Sequence, residues 1–131
     1  MILSIELKML LYSVILGIVQ LLTASLLSTL QRGVKWNISS RDQKAPELTG
    51  VAARMDRAFK NFMETFPFFV AAILMVQVTT MQNSNSMIGA QLYFWARLLY
   101  IPMYAAGITG VRTLVWSISF IGLIMVITSL I

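Results

Sequence analysis

Four stretches of the chain are apolar enough and long enough to cross a bilayer core, which needs about 20 such residues per helix. They run over Leu7–Leu30, Asn61–Thr80, Met87–Thr109 and Leu114–Ile131. Between them the pattern turns polar. Residues 31–50 form the one long polar segment, and Ser39-Ser40-Arg41-Asp42-Gln43-Lys44-Ala45-Pro46 within it reads as loop, with Pro46 biasing Ala45 away from helix. The pattern therefore predicts an all-α membrane protein of one domain over 1–131. Its four helices are expected at about 6–30, 50–80, 87–109 and 112–131, with a loop over 31–49.

Polar residues inside these helices carry the chemistry. The second helix opens with Arg54-x-x-Arg57-Ala58-x-x-Asn61-x-x-Glu64-x-x-Pro67 and continues into an apolar run. At 100° per residue, Arg54, Arg57, Asn61 and Glu64 fall within an arc of roughly 80° over about 15 Å. Lipid does not accept such a face, so it must meet protein, water or a polar ligand. The third helix repeats the theme. Tyr93, Arg97, Tyr100 and Tyr104 share an arc of roughly 60°. A charge at the depth of Arg97 costs about 2.5–3.5 kcal/mol on insertion scales, so it requires a partner. Glu64 is the expected counter-ion; a structural Arg97–Glu64 pair and direct ligand contact remain equal alternatives.

Two arginine forks suit carboxylates, while Asn and Glu suit an ammonium group. The stripe thus reads as a site for a small zwitterion, against the alternative of polar groups that merely join helices. Tyr100 and Tyr104 are candidate hydroxyl donors in that pocket, or interfacial anchors. Arg112, near the end of the last connection, could stabilise a thiolate or simply snorkel to the surface.

Composition narrows the chemistry. Only 11% of residues are charged, against about 25% in soluble domains, and mean hydropathy is +0.80. Cys and His are absent, so protein thiol nucleophiles, disulfides, Cys/His metal sites and histidine bases are excluded. Any thiol must come from outside. The formal charge of +5 sits beside the spans, which points to lipid headgroups and an anionic ligand rather than nucleic acid. The first segment is too long for a cleaved leader, and no internal repeat is evident. Arg32, Lys35, Arg41, Lys44, Arg54, Arg57 and Arg112 share one side of the membrane. The turn at 81–86 has no Lys or Arg. The positive-inside rule puts the 31–49 loop in the cytoplasm and both termini opposite, with Lys8 a weak contrary signal.

The second-helix motif, with Ala96-Arg97-x-x-Tyr100-x-x-x-Tyr104 on the third helix, resembles the MAPEG proteins. These are the membrane-associated proteins of eicosanoid and glutathione metabolism. Gly89-Ala90-Gln91-Leu92-Tyr93-Phe94-Trp95-Ala96-Arg97, running on to Arg112-Thr113-Leu114-Val115-Trp116, is similar to the bacterial branch of that family. The resemblance implies a left-handed four-helix bundle, a homotrimer, a bacterial inner-membrane location, and glutathione bound between subunits on the cytoplasmic side. Carried over by position, it assigns Arg54, Arg57, Asn61, Glu64, Arg97, Tyr100 and Tyr104 to glutathione binding. Arg32 would be supplied by a neighbouring subunit, and Arg112 would activate the thiol. The activity implied is that of a transferase or peroxidase acting on apolar electrophiles or lipid hydroperoxides. Two features depart from the leukotriene synthase branch: Thr65 stands where that branch has tyrosine, and the Tyr104–Arg112 spacing is one residue longer. A non-catalytic binding or scaffold protein that kept the site is the alternative. A small multidrug or ion transporter fits the length, but its essential carboxylate would be expected in the first span, where only Glu6 is available.

Overall fold

The computed structural model describes residues 2–131. Helix α1 (Ile5–Arg32) is followed by the one-turn α2 (Val34–Asn37), then α3 (Gly50–Val78), α4 (Ser84–Ala105) and α5 (Gly110–Thr128). No strand occurs among the described residues. Helices α1, α3 and α5 are long and apolar enough to cross a membrane. Helix α4 has 22 residues, enough for about 33 Å of helix, but falls short of the apolarity of the other three. Its polar residues are turned inward: Ser86, Tyr93, Arg97 and Tyr100 are all buried. It packs against α1, α3 and α5.

Packing follows residue spacing. On α3 the buried positions Met55, Ala58, Phe62, Thr65, Phe69, Ala72 and Val76 recur at alternating steps of three and four. That is the seam along which a helix meets its neighbours. Phe69 stacks on Tyr93 of α4 with ring centroids 3.9 Å apart. Gly17 of α1 leaves room for the Phe62 ring, since a Cβ there would lie 3.0 Å from it. Outward-facing Leu11, Ile15, Ile18, Val19, Leu22 and Leu26 of α1 are exposed to an extent no soluble monomer tolerates. The chain is an integral membrane protein.

The helix ends differ from the predicted ones for local reasons. Helix α4 begins at Ser84 because Asn83 and Ser86 form a capping box, each side chain taking the other's backbone N–H at 3.0 Å. The Ser86 hydroxyl also donates to buried Glu6 at 2.6 Å, tying the start of α1 to the start of α4. At the opposite end α4 stops at Ala105, soon after Pro102, and Gly107 turns the chain at φ +75°. The segment predicted as loop contains α2, and its far end is clamped to α1. Gln31 donates to the Thr49 carbonyl (2.9 Å) and accepts the Thr49 N–H (3.0 Å).

Candidate functional site

The polar residues of α3, α4 and the start of α5 meet near the helix ends that carry the 31–49 loop. Arg97, only 1% exposed, donates from Nη1 to Asn61 Oδ1 at 2.9 Å. Its guanidinium also lies over the Tyr100 ring at 4.5 Å and the Phe62 ring at 5.5 Å. Aromatic faces attract a cation electrostatically, more so where water is excluded. The expected Arg97–Glu64 pair does not form. Glu64 is exposed, and the ion pair found among the described residues is Lys60–Asp56 at 2.9 Å. Asn61 lies one turn nearer the loop on the same face of α3, and it takes the contact expected for Glu64.

Closer to the loop end, Tyr104 lies between two cations. Arg57 Nε donates to the Tyr104 hydroxyl at 3.2 Å, and Arg112 lies over its ring at 4.3 Å. Because the phenol oxygen accepts from Arg57, its own proton is free to donate. Arg54 serves the fold at this edge. Its Nε donates to the Ala105 carbonyl at 2.8 Å, satisfying one of the free carbonyls at the end of α4.

Asn61, Tyr100, Tyr104, Arg112, Thr113 and Trp116 line one cavity of about 270 Å³. Of the nine predicted site residues, the structure gathers Asn61, Tyr100, Tyr104 and Arg112 around this space. Arg97 holds Asn61 and Tyr100 from behind the wall, exposed Arg57 reaches the Tyr104 hydroxyl, and Arg54 is tied to the end of α4. Glu64 and Arg32 are not part of it. Arg32 is on the side of α1 facing the loop, where its Nε donates to the Pro46 carbonyl at 2.8 Å. Thr113 and Trp116 were missed by sequence reading. Trp116 lies one turn beyond Arg112, and that i, i+4 relation to a singled-out cation was the available signal.

Position 65 also has a structural account. Thr65 is buried, and its hydroxyl shares a hydrogen bond with that of Tyr93 at 3.0 Å. It faces α4 within the core and adds nothing to the cavity wall.

The electrostatic character of the cavity is one-sided. Arg57, Arg97 and Arg112 have no carboxylate partner among the described residues. Buried Arg97 Nε and Trp116 Nε1 have no acceptor. Of these two donors Trp116 belongs to the cavity lining and Arg97 lies behind it, and a buried donor left unpaired costs about 1–3 kcal/mol, more when charged. An anionic, acceptor-rich ligand relieves this imbalance. A peptide with two carboxylates and a thiol has that chemistry, so the residues present fit glutathione. Small-molecule pockets typically measure about 300–1,000 Å³, which makes a 270 Å³ cavity open to one side a partial site within a single chain.

No curated protein and no solved structure matches the chain. It does match the MAPEG family over residues 9–131, nearly its full length. That family contains glutathione-dependent transferases and peroxidases as well as non-catalytic members. With the membrane helices and this match together, the chain belongs to the MAPEG family.

Proposed function

We propose that this protein binds glutathione and works as a glutathione-dependent transferase or peroxidase on apolar electrophiles or lipid hydroperoxides. The observation that carries the reading is the donor excess around the Asn61–Tyr100–Tyr104–Arg112 cavity. Glutathione supplies the thiol that the chain lacks. Arg57 and Asn61 bind and orient the peptide. Tyr104 donates its hydroxyl proton into the cavity, and Arg97 holds Asn61 and Tyr100 in place. Arg112 lowers the cost of a sulfur anion nearby, and the thiol proton passes to water at the open side. The apolar partner arrives from the bilayer.

The proposal includes assembly and placement. Helix α4 crosses the membrane with the other three, and the alternating three–four seam of α3 supports left-handed packing. Arg57 and Glu64 are exposed in the single chain. A homotrimer would cover that face, enclose the open side of the cavity and bring Arg32 from a neighbouring copy. The basic loop lies in the cytoplasm of a bacterium, with the helices in its inner membrane and both termini on the far side.

A specific observation favours a second reading. Thr65 is turned into the core, so the hydroxyl that the leukotriene synthase branch places after its motif glutamate is missing from the cavity. A non-catalytic protein that retains the binding site accommodates that loss. Conjugation and peroxide-reduction assays across several apolar substrates separate the two. Glutathione-dependent turnover that falls roughly 100-fold in Arg112→Ala supports catalysis, the scale typical of a lost charge-stabilising donor. Saturable glutathione binding without turnover on any substrate supports the second reading.

A further inference from the structure

The segment leaving α1 carries two cations, Lys35 and Arg41, that the reading above does not use. Gly33, at φ +92°, turns the chain out of α1 into α2. Val34 and Ile38 face outward there, 63% and 80% exposed. Two guanidinium groups flank the Trp36 indole between them, Arg32 at 4.9 Å and Arg41 at 5.2 Å from its centroid. Arg41 is held in place at a cost. Its φ of +59° is uncommon for a residue with a side chain. Its Nη2 donates to the Asn37 carbonyl at 3.1 Å and its backbone N–H to Ser39 Oγ at 3.3 Å.

These groups enclose a cavity of about 550 Å³ whose wall includes Arg32, Lys35, Trp36, Ser39 and Arg41. Its one acid, Asp42, accepts the Ser40 hydroxyl at 2.8 Å and pairs with none of these cations. A second cavity of about 330 Å³ shares Arg32, Trp36 and Arg41. On its α3 side it meets Phe59 and the Asp56–Lys60 ion pair (2.9 Å), and it runs inward between α1 and α3 past Ser28, Ser25, Ala24 and Leu21. A cationic chamber at the level of an interfacial tryptophan thus opens into a groove that reaches membrane depth.

We propose that this hook binds an anionic phospholipid, with its phosphate between Lys35 and Arg41 and one acyl chain in the α1–α3 groove. The phosphate oxygens answer cations that no carboxylate neutralises, and guanidinium forks bind phosphate bidentately. A free phosphate would satisfy the chamber alone. The groove beyond it and the outward Val34 and Ile38 favour an ion that carries an apolar tail. The strained Arg41 backbone then has a purpose, since it aims the guanidinium into the chamber.

Native mass spectrometry of the detergent-purified protein, titrated with phosphatidylglycerol, phosphatidylcholine or inorganic phosphate, tests the proposal. Phosphatidylglycerol is expected to be retained in preference to phosphatidylcholine. The Lys35→Ala/Arg41→Ala variant should lose roughly 30-fold of that affinity, about fivefold per cation near an anionic group. Lys8→Ala, at the opposite end of α1, should lose none. Arg41→Gly separates binding from folding. Glycine suits this backbone, so thermal stability should hold or rise while phosphatidylglycerol affinity falls about fivefold. Equal retention of both lipids, selectivity that survives in the double variant, or full displacement by equimolar inorganic phosphate would each overturn the assignment.

Discussion

Replacing Gly122 by alanine is expected to cost about 3 kcal/mol of stability, at the upper end of what a single added methyl does in a packed interior. The added Cβ would stand 2.5 Å from the Gly89 carbonyl oxygen and 2.7 Å from the Tyr93 nitrogen. Both are backbone atoms, so no side chain can rotate away. The reverse change at Gly89 meets the Gly122 carbonyl at 2.6 Å. Helices α4 and α5 would have to separate, loosening Tyr93, Leu123 and Val126, which are at most 2% exposed. Close backbone approach through small residues is how membrane helices associate where hydrophobicity gives no drive. Gly110→Ala is the control, because a Cβ there meets nothing within 4 Å. Denaturant titration followed by circular dichroism should show an early midpoint for Gly122→Ala and a wild-type one for Gly110→Ala. Coincident midpoints for all three proteins would mean the two helices are farther apart than described.

The Arg97–Asn61 contact should respond asymmetrically to mutation. Asn61→Leu removes the acceptor and leaves the guanidinium of a residue 1% exposed without a hydrogen bond. Removing one partner of a buried charge typically costs about 3–5 kcal/mol, and contacts to Tyr100 and Phe62 hold the loss to about 3 kcal/mol. Arg97→Met removes the charge itself and spares its burial, so stability should change little or improve. Binding behaves differently. Arg97 does not line the cavity, but Asn61 and Tyr100 do, so Arg97→Met should weaken glutathione binding by roughly tenfold, one positioned hydrogen bond's worth. Paired unfolding and binding measurements on the two variants check this. A more stable Asn61→Leu protein would contradict the contact.

Much of this was legible in the residues. Helical periodicity aligned Asn61 on one helix and Arg97, Tyr100 and Tyr104 on another, and those four converge because the two helices pack side by side. Within the single chain the second-helix stripe does not converge on one cavity. Arg54 was drawn to the Ala105 carbonyl, a helix end whose position depends on Pro102 and Gly107 rather than on the stripe. Glu64 was expected to neutralise Arg97, yet charge pairing depends on reach between helices, which spacing along one helix does not encode. Asn61 takes that contact and two aromatic rings supply the rest. Trp116 and Thr113 were overlooked because aromatic and hydroxyl residues near a span end usually read as interfacial anchors. The Gly89–Gly122 contact was invisible in the sequence, since the two glycines lie on different helices and share no motif.

On the proposed function, the cavity lined by Asn61, Tyr100, Tyr104 and the single cation Arg112 holds a thiol peptide and stabilises its sulfur anion. Ultraviolet difference absorbance of the purified protein titrated with glutathione reads that sulfur anion. A saturable thiolate signal is expected in the wild type and should disappear in Arg112→Ala, while the helical content of that variant stays unchanged. A wild-type protein that raises no thiolate signal at saturating glutathione would contradict it.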